Sequence, residues 1–189
     1  MILVKEDEKM KKLILFATMI MVLATGCGNM MNTPTKKVEE FLSKYQTMDK
    51  DVLEQLDDVI KDAGSLVEDQ KNDYRELMKK QYQNLSYKIK DETEDGDNAT
   101  VVVEIEVYDY GKAINESEQY LVTNRDEFLD ETGKDVDNKK FLDYKIKKMK
   151  EVKDKVKYTI NFTLTKVDDK WKLDNISDID RQKLHGLYY

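Results

Sequence analysis

Cysteine and histidine, the side chains that most often ligate metals or move protons near neutral pH, occur once each, as Cys27 and His185. One of each cannot assemble a structural zinc site, a disulfide or a paired-thiol redox centre. Any acid–base chemistry must therefore come from carboxylates and phenols. The chain has 39 Asp or Glu and 11 Tyr, against 32 Lys or Arg, for a net charge of −7 over 189 residues. From Cys27 onward 28 basic residues face 36 acidic ones, and that excess disfavours nucleic-acid partners, whose phosphates call for a basic surface.

The candidate sites are few. His185 has no second His or Cys to work with, so a terminal surface histidine is the simplest reading, and a general-base or ligand role would need carboxylates from elsewhere in the chain. Asp91, Thr93, Asp95, Gly96 and Asp97 have the spacing that opens an EF-hand loop. The twelfth position counted from Asp91 is Val102, where a bidentate Glu is needed, which leaves an acidic hairpin turn. Asp174, Asp178 and Asp180 could hold a hard cation, but acids at this spacing more often cap helices or face water; no metal and no cofactor is expected. Ser177 has no partner in a nucleophilic constellation. Tyr108, Tyr110 and Tyr158 fall in expected strand regions and are the candidates to line a pocket with hydroxyls. The segment Lys145 to Lys157 carries seven Lys against two acids. Contact with anionic lipid or wall polymer is one use for it, and a solvated face is the simpler one.

These residues sit behind a distinctive N-terminus. Lys11 and Lys12 precede an apolar run from Leu13 to Ala24. Twelve helical residues reach about 18 Å, short of the roughly 30 Å of a bilayer core, so a cleaved signal peptide over residues 1–26 is favoured over a spanning helix. Met10 opens a conventional signal of this kind, and translation from Met10 would drop three acids ahead of it. The stretch Leu23-Ala24-Thr25-Gly26-Cys27 resembles the lipobox of bacterial lipoproteins, with Ala24 at the third position before the Cys, where Leu is usual. The resemblance implies that Cys27 is the first residue of the mature chain and carries acyl chains such as palmitate. It also implies a lipid-anchored position on the extracytoplasmic face of a cell membrane. The 29 Lys and few Ala favour a Gram-positive source. Residues 27–33 would then be a lipidated Cys with a tether of about 20 Å.

The rest, 34–189, reads as a single α+β domain. Pro34 suits a first helical position, and Val38, Phe41, Leu42 and Tyr45 fall on one helical face. A second helix is expected from about Asp49 or Asp51 to Gly64, and a third from about Leu66 to Gln83 with Tyr74, Leu77, Met78 and Tyr82 on one side. The period then changes to two. Strands through Leu85, Tyr87 and Ile89 and through Val101, Val103, Ile105 and Val107 flank the turn at Gly96, forming an antiparallel hairpin closed at Gly111. Helices around Ile114–Leu121 and Asn138–Lys150 are followed by a strand from Val156 to Leu164, a turn at Asp168-Asp169, a return through Trp171 and Leu173, and a short helix from Ser177.

The plan is one of N-terminal helices packed on a curved antiparallel sheet of about four strands, with a helical insertion. Ending in Val167-Asp168-Asp169-Lys170-Trp171-Lys172-Leu173-Asp174, it resembles the nuclear-transport-factor-two-like, or cystatin-like, cone of small bacterial lipoproteins of unknown function. That resemblance implies a concave sheet able to enclose a pocket. The expectation is a non-catalytic binding or scaffold module of the cell envelope, touching membrane lipid through Cys27 and an unidentified envelope protein or polymer. The alternative is a small-molecule pocket protein or an enzyme using Asp and Tyr.

Overall fold

Strand alternation explains the centre of the molecule. In the computed structural model, which describes residues 32–62 and 66–189, four strands form one antiparallel sheet in the order β1-β2-β3-β4. They are β1 (Ser86–Asp95), β2 (Asn98–Tyr108), β3 (Lys155–Val167) and β4 (Lys170–Leu173). Val101, Val103, Ile105 and Val107 of β2 have no solvent exposure, and Ile160, Phe162 and Leu164 of β3 bury the same face. The opposite face carries cross-strand pairs such as Lys90 with Glu104 at 3.2 Å and Lys157 with Glu104 at 3.6 Å. Each element of this meander pairs with its chain neighbour, and each turn obeys local chemistry. Gly96 takes φ +60° in the first hairpin, and both residues of the Asp168-Asp169 loop are left-handed, as a two-residue hairpin of matching twist requires. Lys90 is an extra residue between the pairs Ile89–Val103 and Asp91–Val102, a bulge beyond which β1 is exposed on both faces.

Helices cover the apolar face. The first three, α1 (Pro34–Gln46), α2 (Lys50–Asp62) and α3 (Glu68–Gln83), precede the sheet, as the periodicity predicts. The end expected for α2 at Gly64, like the signal peptide and Cys27, lies outside the described residues. Between β2 and β3 stand α4 (Tyr110–Thr123), a single 3₁₀ turn (Arg125–Phe128) and α5 (Asn138–Glu151), and the chain closes with α6 (Asp178–Leu184). Residues 34–189 make one compact unit. The observed class is thus α+β with an open four-stranded antiparallel sheet.

Gly111 departs from its expected role. It does not close the hairpin; it lies in the first turn of α4, where Asp109 caps the helix by accepting from the Lys112 N–H at 3.0 Å. A side chain at Gly111 would collide with the backbone of Leu187 and Tyr188, because the C-terminal segment crosses directly over it. The Gly111 N–H donates to the Gly186 carbonyl at 2.7 Å.

A buried glutamine holds that crossing together. Gln81 of α3 has no exposure, and all of its side-chain hydrogen bonds are long-range. Its Oε1 accepts from the Tyr108 N–H at 2.8 Å, and its Nε2 donates to the carbonyls of Tyr108 and His185, both at 2.9 Å. One amide thereby terminates β2 and fastens the end of α6. Gly186 takes φ +67° to end that helix, and a β-carbon there would strike the Gln81 amide and the Tyr108 carbonyl. A second buried glutamine, Gln70, plays the same part at the other end of α3, donating to the Lys139 carbonyl at 3.2 Å and to Asp143 at 2.7 Å on α5. Replacing Gln81 by Leu leaves one N–H and two carbonyls without their buried partner. Chemical denaturation should show Gln81→Leu to be less stable by about 3 kcal/mol; a loss below about 1 kcal/mol would mean that the clamp is not what secures the C-terminal segment.

Candidate functional site

Five separate stretches bring side chains to one cleft of about 430 Å³ on the helical side of the sheet. Helical spacing explains most of its wall. Phe41 and Tyr45 are four apart on α1; Tyr74, Met78 and Tyr82 are successive fourth positions on α3; Arg181 and His185 are four apart at the end of α6. Val52, Gln55, Leu56 and Val59 come from α2, and the remainder from Leu173 and the Asp174–Ile176 loop beyond β4. The aromatic rings form a continuous line. Phe41 meets Tyr45 edge-on at 5.2 Å, Tyr45 meets Tyr82 at 5.0 Å and 86°, and Tyr82 meets His185 at 5.5 Å. Val59, on the α2 side, remains 63% exposed, so the cleft has an apolar lip open to water.

The surface position expected for His185 is therefore overturned. Its ring is half-buried between Tyr82 and Tyr45, because the Gln81 clamp draws its own carbonyl inward and α6 turns the side chain onto the cleft. Burial pushes its pKa down to about 4, and the nearby Arg181 guanidinium acts in the same direction. Burial also holds the hydroxyls of Tyr45, Tyr74 and Tyr82 above the usual phenol range. Near neutral pH every one of these groups is uncharged. Tyr82 Oη lies 3.3 Å from His185 Nε2, the one side-chain bond the imidazole makes among the described residues. An imidazole that binds a proton only near pH 4, and phenols that release theirs only at strongly alkaline pH, make poor proton-transfer agents at neutrality. They remain good hydrogen-bonding groups within an apolar wall.

The three tyrosines singled out from the sequence lie elsewhere. Tyr110 is fully buried, its hydroxyl donating to the Leu77 carbonyl at 3.3 Å, and it stacks on Tyr108 at 6.0 Å. Tyr108 is roofed by the ammonium groups of Lys80 at 4.7 Å and Lys155 at 5.5 Å. Tyr158 donates to the Tyr188 carbonyl at 2.9 Å and so pins the C-terminus. Tyr108 and Tyr158 lie in β2 and β3 as expected, but Tyr110 opens α4 and is not a strand residue, because Asp109 caps that helix; the pocket tyrosines come from α1 and α3, where they resemble ordinary core positions. What distinguishes Tyr45, Tyr74 and Tyr82 is that α2 and α6 leave space against them, and that depends on long-range packing.

The acidic and basic candidates are each locally engaged. Asp174 accepts from the Thr165 hydroxyl at 3.0 Å, Asp178 pairs with Arg181 at 3.6 Å, and Asp180 accepts from Ser177, which caps α6, at 2.7 Å. Among the described residues no three of His, Cys, Asp and Glu converge where a metal ion could bind. In the Lys145 to Lys157 segment, Lys145 pairs with Glu118, Lys148 with Glu151, Lys150 with Asp73 and Lys157 with Glu104, while Lys155 donates to the Asn84 carbonyl. The segment divides between α5 and β3, and four of its seven lysines are paired with acids. A second cavity, of about 570 Å³, lies between α4 and α5, and part of its charged wall is engaged locally, Asp109 in the α4 cap and Lys148 with Glu151.

Sequence reasoning passed over Gln81, although the signal was present. It occupies the seventh place after Tyr74 in the stripe Tyr74, Leu77, Met78, Gln81, Tyr82, where a polar residue must find a buried partner. The depressed imidazole has a measurable consequence. The unfolded chain takes up a proton as pH falls through about 6.5 while the folded chain does not until about 4, so stability declines across that interval. Thermal and urea unfolding should show His185→Gln losing about 2 kcal/mol less stability than the parent chain between pH 7 and pH 5; identical slopes would mean that the ring is solvated. No protein-family model matches the chain, and neither the curated proteins nor the solved structures contain a match to it.

Proposed function

We propose that the chain is a lipid-anchored, non-catalytic binding protein of the extracytoplasmic membrane face, held by Cys27 and using the cleft between α1, α2, α3 and α6 to take up a small apolar molecule. The observation that carries the reading is the cleft itself: a cavity of about 430 Å³, within the size range of small-molecule sites, with apolar and aromatic walls, a few uncharged polar groups and two charged side chains, Arg181 and Asp174. A scaffold without a ligand would have no need to leave such a space between four helices, since closing it would bury more apolar surface. Of the two functions drawn from the sequence, the small-molecule pocket is thus favoured over a pure scaffold. The uncharged state of Tyr45, Tyr74, Tyr82 and His185 favours binding over proton transfer.

The anchor rests on the lipobox-like stretch ending in Cys27 and on the apolar run before it. The fold is read as a variant of the cystatin-like cone, in which the helical insertion α4–α5 stands between the two hairpins and the cleft takes the place of the cone's pocket. The order of helices, hairpin, insertion and second hairpin supports that reading.

Two experiments separate the claims. In cells of a Gram-positive host, mass spectrometry should find diacylglycerol on Cys27, and Cys27→Ala should move the protein from the membrane fraction to the medium; full membrane retention of the variant would overturn the anchor. The uncharged fluorophore N-phenyl-1-naphthylamine should brighten on mixing with the chain. Gln55→Trp, which sets a ring at the exposed lip without touching the core, should weaken that binding by about ten-fold. Undiminished binding to the variant would place the apolar site elsewhere.

A further inference from the structure

We infer that the cleft selects a carboxylic acid with an apolar body, its carboxylate turned to Arg181 and its hydrocarbon laid against the walls. The inference rests on the binding role proposed above and names the head group of the ligand. Its basis is the placement of charge. Arg181 shares with His185 the face of α6 that lines the cleft, and its guanidinium is oriented by donating to the Ile176 carbonyl at 2.9 Å. Its acidic partner, Asp178, stands 3.6 Å away and is 93% exposed, so water weakens that pair and leaves the cation able to take another anion. The other charged residue in the wall, Asp174, has its carboxylate held by the hydroxyl of Thr165 on β3.

Deeper in the cleft the polar groups suit the same head. The hydroxyls of Tyr45 and Tyr74 make no hydrogen bond among the described residues, and both remain protonated donors because burial resists their ionisation. A carboxylate is acceptor-only, so it can use these donors together with the guanidinium. The positive field of Arg181 reaches inward, where it works against the burial that raises the Tyr45 pKa and adds to the burial that lowers the His185 pKa. An alcohol of the same length gains hydrogen bonds without the charge, and a quaternary ammonium meets a like charge.

The test is a titration of the full ¹⁵N-labelled chain with decanoate, decanol and decyltrimethylammonium, each below its micellar concentration, following the amide signals of Ile176 and His185. Decanoate should bind about ten-fold tighter than decanol. Arg181→Gln should remove most of that advantage by weakening decanoate far more than decanol, and Arg181→Lys should retain most of it. Equal binding of acid and alcohol, or tightest binding of the ammonium, would overturn the head-group assignment and leave the apolar cleft standing. These comparisons within the unaltered chain decide the matter even where a variant folds poorly. If none of the three amphiphiles moves the two signals, the cleft itself is not a binding site and the assignment falls with it.

Discussion

The side-chain amide of Gln81 is the interaction on which the rest of the domain depends. Burying an amide is costly unless each of its groups is matched. Here the matching groups lie 27 and 104 residues further along the chain, at Tyr108 and His185. The bonds can form only when α3, the end of β2 and the end of α6 have all arrived. Apolar contacts among these elements tolerate small sliding motions, whereas three short hydrogen bonds to one amide do not. Gly111 and Gly186 follow from the same constraint: the C-terminal segment must come close enough to the start of α4 for the Gly111 N–H to reach the Gly186 carbonyl, and a side chain at either position would hold it off.

The cleft is a product of that anchoring. With its last turn tied down, α6 cannot settle into the space between α1 and α3, and it presents Arg181 and His185 to a gap instead of filling it. On the other side α2 buries Val52, Leu56 and Ile60 but keeps Val59 in water, so it closes the gap only in part. The result is a wall of rings stacked edge to face, whose polar tips are desolvated and uncharged. One cation, Arg181, and one anion, Asp174, are the charged side chains of that wall.

Local patterns made most of the fold legible in the sequence. The alternation from Val101 to Val107 identified β2 because one face of that strand is fully buried and the other wet, and the Asp168-Asp169 pair identified a tight turn because short acids tolerate left-handed backbone. The helices were legible from Pro34, from the apolar spacing and from Gly186. The site was not. Tyr45, Tyr74 and Tyr82 look like any core tyrosines until the packing of α2 and α6 leaves space beside them. His185 looks terminal and solvated until Gln81 captures its carbonyl. Tyr108, Tyr110 and Tyr158 were attractive because strand residues often line pockets, yet each hydroxyl or ring is already spent on a backbone carbonyl or a lysine. Even the Lys145 to Lys157 run, prominent as a string of letters, divides between two elements and meets acids from α3, α4 and β2.

The chemistry missing from the composition and the geometry present in the fold point the same way. A chain with one histidine needs a neighbouring carboxylate to turn that ring into an effective base, because a carboxylate raises the imidazole pKa toward neutrality. The fold supplies the opposite surroundings: phenols on one side, a guanidinium four residues away and little water, all of which favour the neutral ring. These surroundings would defeat a proton-transfer site. They are compatible with recognition, because a fixed protonation state near neutral pH keeps the donors and acceptors of the cleft constant. The shortage of His in the sequence and the desolvation of the one His present therefore act in the same direction: near neutral pH the phenols and the imidazole that line the cleft stay uncharged.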